Sequence, residues 1–192
     1  GVLLTLATCG LLPLNSAYAN GCYWANGNTG PINYVANLGV QYIPRDARIG
    51  DPIGPIEQPF LVSGGGLSVH CSTDGARLAF NAMATAPPAP GPAPRLNGLP
   101  ASGTVLATNI DGVGALIKLG SPYDGLTTGF WKLNAADSTV PFDGYIDFST
   151  PFVLQHSLLR GTVTLIKTGP IGRGMHPLDT GNEMFKASFT DV

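Results

Sequence analysis

The side chains of this 192-residue chain that could do chemistry are few and scattered. Asp143 and Asp147 stand four residues apart, a spacing that puts both carboxylates on one face of a strand. Two carboxyl groups flanking a bond are what glycoside hydrolysis requires. Twelve acidic residues in one β domain yield such pairs by chance, however, and no third group joins this one. His70, His156 and His176 are far apart in sequence and read as satisfied or exposed side chains rather than bases or ligands. The chain has no Gly-x-Ser-x-Gly nucleophile elbow, no phosphate-binding glycine loop and no pair of histidines at helical spacing. The expectation is a protein that binds rather than catalyses, with no catalytic residue, no metal and no cofactor.

Binding chemistry finds more support. A sugar pocket needs carboxylates, amides and hydroxyls to meet a fixed set of ligand hydroxyls. Such groups sit best on loops at one end of a rigid scaffold. Two polar, Gly-rich stretches qualify: 72–75 (STDG) and 169–183 (GPIGRGMHPLDTGNE). Tyr23, Trp24 and Trp131 read as core or surface residues rather than as pocket aromatics.

The elements that must position these loops are strands. Strand-like runs cover 32–40, 58–62, 66–71, 77–83, 103–108, 115–119, 143–148, 152–154, 159–167 and 184–189. In the last but one, Val163 and Leu165 share one face while Thr162, Thr164 and Ile166 share the other. Asp51-Pro52, Asp74-Gly75, Asn97-Gly98, Asp111-Gly112, Asp124-Gly125 and Asp143-Gly144 read as turns between them. With 26 Gly and 17 Pro, and no apolar stripe at helical spacing after residue 19, the fold class is all-β, a sandwich or jelly roll. Residues 86–100 (APPAPGPAPRLNGLP) carry six prolines and are expected to form a stiff, extended surface loop.

Composition narrows the setting. Charged residues are 11% of the chain and net charge is −2, so no basic footprint argues for nucleic acid. Residues 1–14 are apolar and uncharged, and Ala17-Tyr18-Ala19 is a small-x-small cleavage site, so 1–19 reads as the later part of an export signal. Pro13 and the short apolar run disfavour a membrane span. Cleavage would remove Cys9 and leave a domain of residues 20–192 holding Cys22 and Cys71, read as one disulfide in an oxidising compartment. Closing that loop would stabilise the fold by up to about 4 kcal/mol. A metal site built on His70-Cys71 lacks a second ligand at usable spacing.

The order of short motifs carries a resemblance. The pieces are Asn20-Gly21-Cys22, then 40–56 (VQYIPRDARIGDPIGPI), then Val69-His70-Cys71-Ser72, then 110–114 (IDGVG), then 165–172 (LIKTGPIG). In this order they resemble the N-terminal receptor-binding domain of two-domain tip adhesins in chaperone–usher fimbriae. The resemblance implies an elongated immunoglobulin-like or jelly-roll lectin sandwich at the tip of a surface fibre, exported through the periplasm. It implies a glycan or glycoprotein receptor as partner. Fimbrial subunits, a periplasmic chaperone and an outer-membrane usher would act through a C-terminal pilin domain beyond residue 192.

The resemblance also implies a site. In the mannose-binding member, the mature N-terminus lies two residues before the first cysteine and helps form the sugar pocket; Asn20 stands there. That member has Asn-Asp after the second cysteine, where this chain has Thr73-Asp74, so Asp74 matches and Thr73 departs. Lys167 and Gly169 stand where the family uses amides, and Asp179, Asn182 and Glu183 complete the implied polar set. Two alternatives remain: a structural or minor pilin of the same fibre, and a secreted carbohydrate-active enzyme. A pilin carries an aromatic next to its end, where this chain has Asp191.

Overall fold

A computed structural model describes residues 22–24, 33–35, 40–63, 69–71, 77–121, 123–126, 132–147, 152–154, 160–178 and 184–191. The strands are, in chain order, β1 (Cys22–Trp24), β2 (Asn33–Val35), β3 (Pro52–Ser63), β4 (Val69–Cys71), β5 (Arg77–Ala84), β6 (Arg95–Leu96) and β7 (Leu99–Pro100). They continue with β8 (Leu106–Ala107), β9 (Val113–Leu119), β10 (Lys132–Leu133), β11 (Phe142–Asp147), β12 (Phe152–Leu154), β13 (Arg160–Lys167) and β14 (Phe185–Asp191). Every pairing is antiparallel, and no helix occurs among the described residues. The all-β expectation holds.

Two sheets share the core. One has five strands in the order β2-β3-β13-β9-β8, the other four in the order β10-β11-β5-β14. Alternation along each strand decides what enters the space between them. Strand β5 sends Leu78, Phe80 and Ala82 inward, β11 sends Phe142 and Ile146, and β13 sends Val163 and Leu165. Phe80 is fully buried, its ring 4.6 Å from Tyr123 and 5.8 Å from Phe142. Phe60 of β3 meets Phe185 of β14 edge-on at 6.2 Å, a contact from one sheet to the other. Each such side chain stabilises the fold by roughly 1.5–3 kcal/mol through apolar burial.

A third, small sheet has the order β1-β4-β12. Its register sets Cys22 directly opposite Cys71. Directly opposed antiparallel residues lie about 4.5–5.5 Å apart at Cα, inside the range a disulfide spans.

The structure departs from the sequence reading at several places, and of the expected strand 103–108 only Leu106–Ala107 is one. Asp143-Gly144 is not a turn: both lie inside β11, where a Cβ on Gly144 would come within 2.8 Å of the Lys132 carbonyl of β10. That glycine serves close strand approach, not chain reversal. Strand β3 begins at Pro52, six residues before the expected start, because a proline is tolerated as a strand's first residue. Val40, expected to end a strand, is irregular and exposed. The proline-rich stretch is exposed along most of its length but contains the hairpin β6-β7. Its turn is Asn97-Gly98, with φ of 53° and 76°, the double positive φ that a two-residue hairpin of matching twist demands.

That hairpin belongs to a strap that folds over the outward face of the five-stranded sheet. The strap is stapled by Ala89 N–H to the Val105 carbonyl and Ala107 N–H to the Pro87 carbonyl, both 2.8 Å. Arg95 N–H donates to the Gly50 carbonyl at 2.8 Å, anchoring its middle. The strap explains why β9 is buried on both faces. Val113, Ala115, Ile117 and Leu119 enter the main core, while Leu116 lies buried on the outward face. Opposite β9, residues 137–140 run alongside it through Leu119 N–H to the Ser138 carbonyl (2.9 Å) and Val140 N–H to the Ile117 carbonyl (2.8 Å). The chain then passes a cis Val140–Pro141 peptide and enters the other sheet as β11.

Candidate functional site

The site begins with an irregularity in β3. Ile53 pairs with Leu165 and Gln58 with Val163, so residues 54–57 face a single residue, Thr164, and must bulge out of the ladder. The bulge opens at Gly54, with φ of 74°; a Cβ there would lie 2.2 Å from the Gln41 amide oxygen. It closes at Glu57, whose φ of 52° places a non-glycine residue in the left-handed region. Its N–H, withdrawn from the ladder, donates instead to Thr164 Oγ1 at 2.8 Å. Thr164 is 2% exposed, so the bond is held from below by a buried hydroxyl.

Between this bulge, the sheet and the strap lies a cavity of about 240 Å³. Its floor is the outward face of the sheet: Leu116 and Lys118 from β9, Thr162 and Thr164 from β13. Leu96, Pro100, Ala101 and Ser102 of the strap form its roof. Asp137 and Thr139 close one side, and the exposed Glu57 stands at the rim. Three elements distant in sequence therefore enclose one small, mostly polar space.

The charges in it are held in different ways. The Ser102 hydroxyl donates to Asp137 Oδ2, and Thr139 N–H donates to Asp137 Oδ1 at 3.0 Å. Partial burial pushes the Asp137 carboxyl up, but the bonds from Ser102 and Thr139, with the charge of Lys118, outweigh it and hold the group below its ordinary value. Asp137 is thus an ionised, largely saturated acceptor that also ties roof to wall. The Glu57 carboxylate, the Lys118 ammonium and the Thr162 hydroxyl make no hydrogen bond or ion pair among the described residues. Their capacity is open to a ligand.

Of the residues singled out from sequence, Asn20, Thr73, Asp74, Asp179, Asn182 and Glu183 lie outside the described residues. Lys167 lies within them, half-buried, and its ammonium donates to the Ala47 carbonyl at 2.9 Å. Its ends of the ladder continue through Gly50 N–H to the Lys167 carbonyl (2.7 Å) and Lys167 N–H to the Asp51 carbonyl (2.9 Å). The structure uses this lysine to hold the loop preceding β3. Asp143 and Asp147 do share a face of β11, but Asp143 accepts from Asn134 Nδ2 at 2.7 Å and Asp147 pairs with Arg77. His176 places Nε2 2.7 Å from the Gly172 carbonyl in an exposed loop.

The cavity residues Glu57, Lys118, Asp137 and Thr139 were not singled out from sequence. A usable signal existed: Lys118 is the one charged residue in the otherwise apolar run of β9, and Thr162 and Thr164 alternate with the core residues of β13. Comparison with protein-family models finds no match, and comparison with curated proteins finds none either.

Proposed function

We propose that this chain is the receptor-binding domain of a fimbrial tip adhesin, an immunoglobulin-like or jelly-roll sandwich that holds a glycan without transforming it. The observation that carries the reading is the cavity beneath the strap. Glu57, Lys118 and Thr162, whose side chains make no hydrogen bond or ion pair among the described residues, line a space of about 240 Å³, a scale that suits one sugar ring and not an extended drug-sized ligand. Lys118 and Thr162 are mounted on paired strands and so are pre-positioned, which lowers the ordering cost of binding. The engagement of Asp143 and Asp147 by Asn134 and Arg77 favours this reading over hydrolysis by that pair. The motif order adds the setting: export through the periplasm, a fibre at the cell surface, and contacts with subunits, chaperone and usher through a further domain.

The test is a glycan array probed with the purified protein, alongside Thr162→Tyr, which fills the cavity from its floor. Retention of a defined glycan by the parent and its loss in the variant, at unchanged thermal midpoint, is the expected result. Retention of nothing, or equal retention by the variant, overturns the reading. The opposed register of Cys22 and Cys71 supports a disulfide between them. Intact mass of exported protein under non-reducing conditions should show both thiols consumed, and two free thiols would exclude the bond.

A further inference from the structure

The lining of the cavity narrows the class of sugar it admits, and the inference rests on the glycan-binding reading above. Two carboxylates, Glu57 and Asp137, and one ammonium, Lys118, line the cavity, so the lining carries one net negative charge. Asp137 already accepts from Ser102 and Thr139, whereas Glu57 accepts nothing with its side chain. Lys118 stands on the floor, half-buried between strap and sheet, and its charge favours the ionised form of Asp137. An incoming anion would meet a free carboxylate at the rim and a lining of net negative charge. A hydroxyl or an ammonium would meet a free acceptor.

The backbone points to the same residue. Non-glycine residues at positive φ are uncommon outside Asn and Asp, and they persist where surrounding structure holds them. Glu57 sits at φ 52°, held by the buried Thr164 hydroxyl, at the end of a bulge that displaces it from the sheet ladder. A glycine would take that conformation without cost. The chain instead carries a glutamate there, with a carboxylate that no other described group uses. We propose that the cavity binds a non-acidic sugar residue, neutral or amino-bearing, and that Glu57 is the residue that discriminates against acidic sugars by accepting a ligand hydroxyl or ammonium at the rim.

The experiment titrates the purified protein with the methyl glycosides of glucose, galactose and mannose, the corresponding 2-amino sugars and the corresponding uronic acids, at fixed ionic strength. Amide shifts of Lys118, Thr162 and Thr164 report the cavity directly. At least one neutral or amino sugar should perturb them, with its uronic acid counterpart weaker by about tenfold or more, a factor equal to about 1.4 kcal/mol. Glu57→Gln should weaken the amino sugar most and narrow the gap to the uronic acid. Glu57→Gly should lose binding while its thermal midpoint stays level or rises, which a merely structural role for Glu57 would not produce. Uronic acids binding as tightly as their neutral counterparts, or Glu57→Gly binding as well as the parent, overturns the inference and leaves the sugar site standing. Silence of those amides toward every sugar overturns the site itself.

Discussion

The outward faces of the two main sheets make opposite use of the same kind of residue. On the four-stranded sheet, Arg77 of β5 and Asp147 of β11 are directly opposed in register and form a two-pronged pair, Nε to Oδ1 at 2.6 Å and Nη2 to Oδ2 at 2.9 Å. The same guanidinium lies 3.9 Å above the Tyr145 ring, and Asn134 satisfies Asp143. Each of these three charges is answered by a neighbour within reach. On the five-stranded sheet the strap lies over part of the face, and Glu57 and Lys118 make no hydrogen bond or ion pair among the described residues. A carboxylate on a sheet is therefore not itself a site. The strap turns one face into a cavity, and the bulge brings Glu57 to its rim.

Phe80→Ala removes a fully buried ring from the core beneath both faces, and should cost about 3–5 kcal/mol in denaturant unfolding. Both faces should be lost in one transition; retention of cavity amide shifts after the other sheet has melted would show that the two faces do not share a core. Thr164→Val keeps shape but leaves the Glu57 N–H without its acceptor, at a cost of about 1–3 kcal/mol. It should also loosen the bulge, so sugar affinity should fall in the same variant while Arg77 and Asp147 keep their pairing; unchanged stability would mean that water replaces the hydroxyl.

A smaller effect follows from Asp137. Its folded carboxyl sits below the ordinary value, so the folded state favours the ionised form. The stability this contributes is present above the ordinary carboxylate pKa and is lost as pH falls through that range to the lower folded value. Between about pH 5 and about pH 3 the parent should lose more thermal stability than Asp137→Asn, and parallel curves would exclude the coupling. The smallest effect is expected on the open face. Arg77 and Asp147 are both well exposed, and exposed pairs contribute little even when their geometry is good. Asp147→Asn should leave the thermal midpoint within experimental scatter and sugar binding unchanged; a clear loss of either would make the two faces equivalent after all.

Much of the scaffold was legible in the chain because alternation is a local property. Val163 and Leu165 against Thr162 and Thr164 are readable from β13 alone, and the structure sends the first pair inward and the second to the cavity floor. Asn97-Gly98 is likewise a turn whose conformation its own residue types dictate. Context could still defeat such signals, as at Asp143-Gly144, where a glycine serves the neighbouring strand and not a reversal. The cavity was beyond local reading. Glu57, Ser102, Lys118 and Asp137 are spread over eighty residues, and nothing in the segments around them says that they face one another.

Local sequence settles which residues alternate, where the chain can reverse, and that apolar side chains enough for a core lie on strands rather than helices. Those follow from backbone sterics and from the two-residue period of a strand, which act within a few positions. Tertiary packing makes the proline-rich stretch a roof, takes β3 out of register at residues 54–57, and brings Glu57 and Lys118 to one cavity. Enclosure is a property of surfaces brought together from a distance. It depends on how two sheets and a strap pack, and packing is settled only when the whole chain has folded.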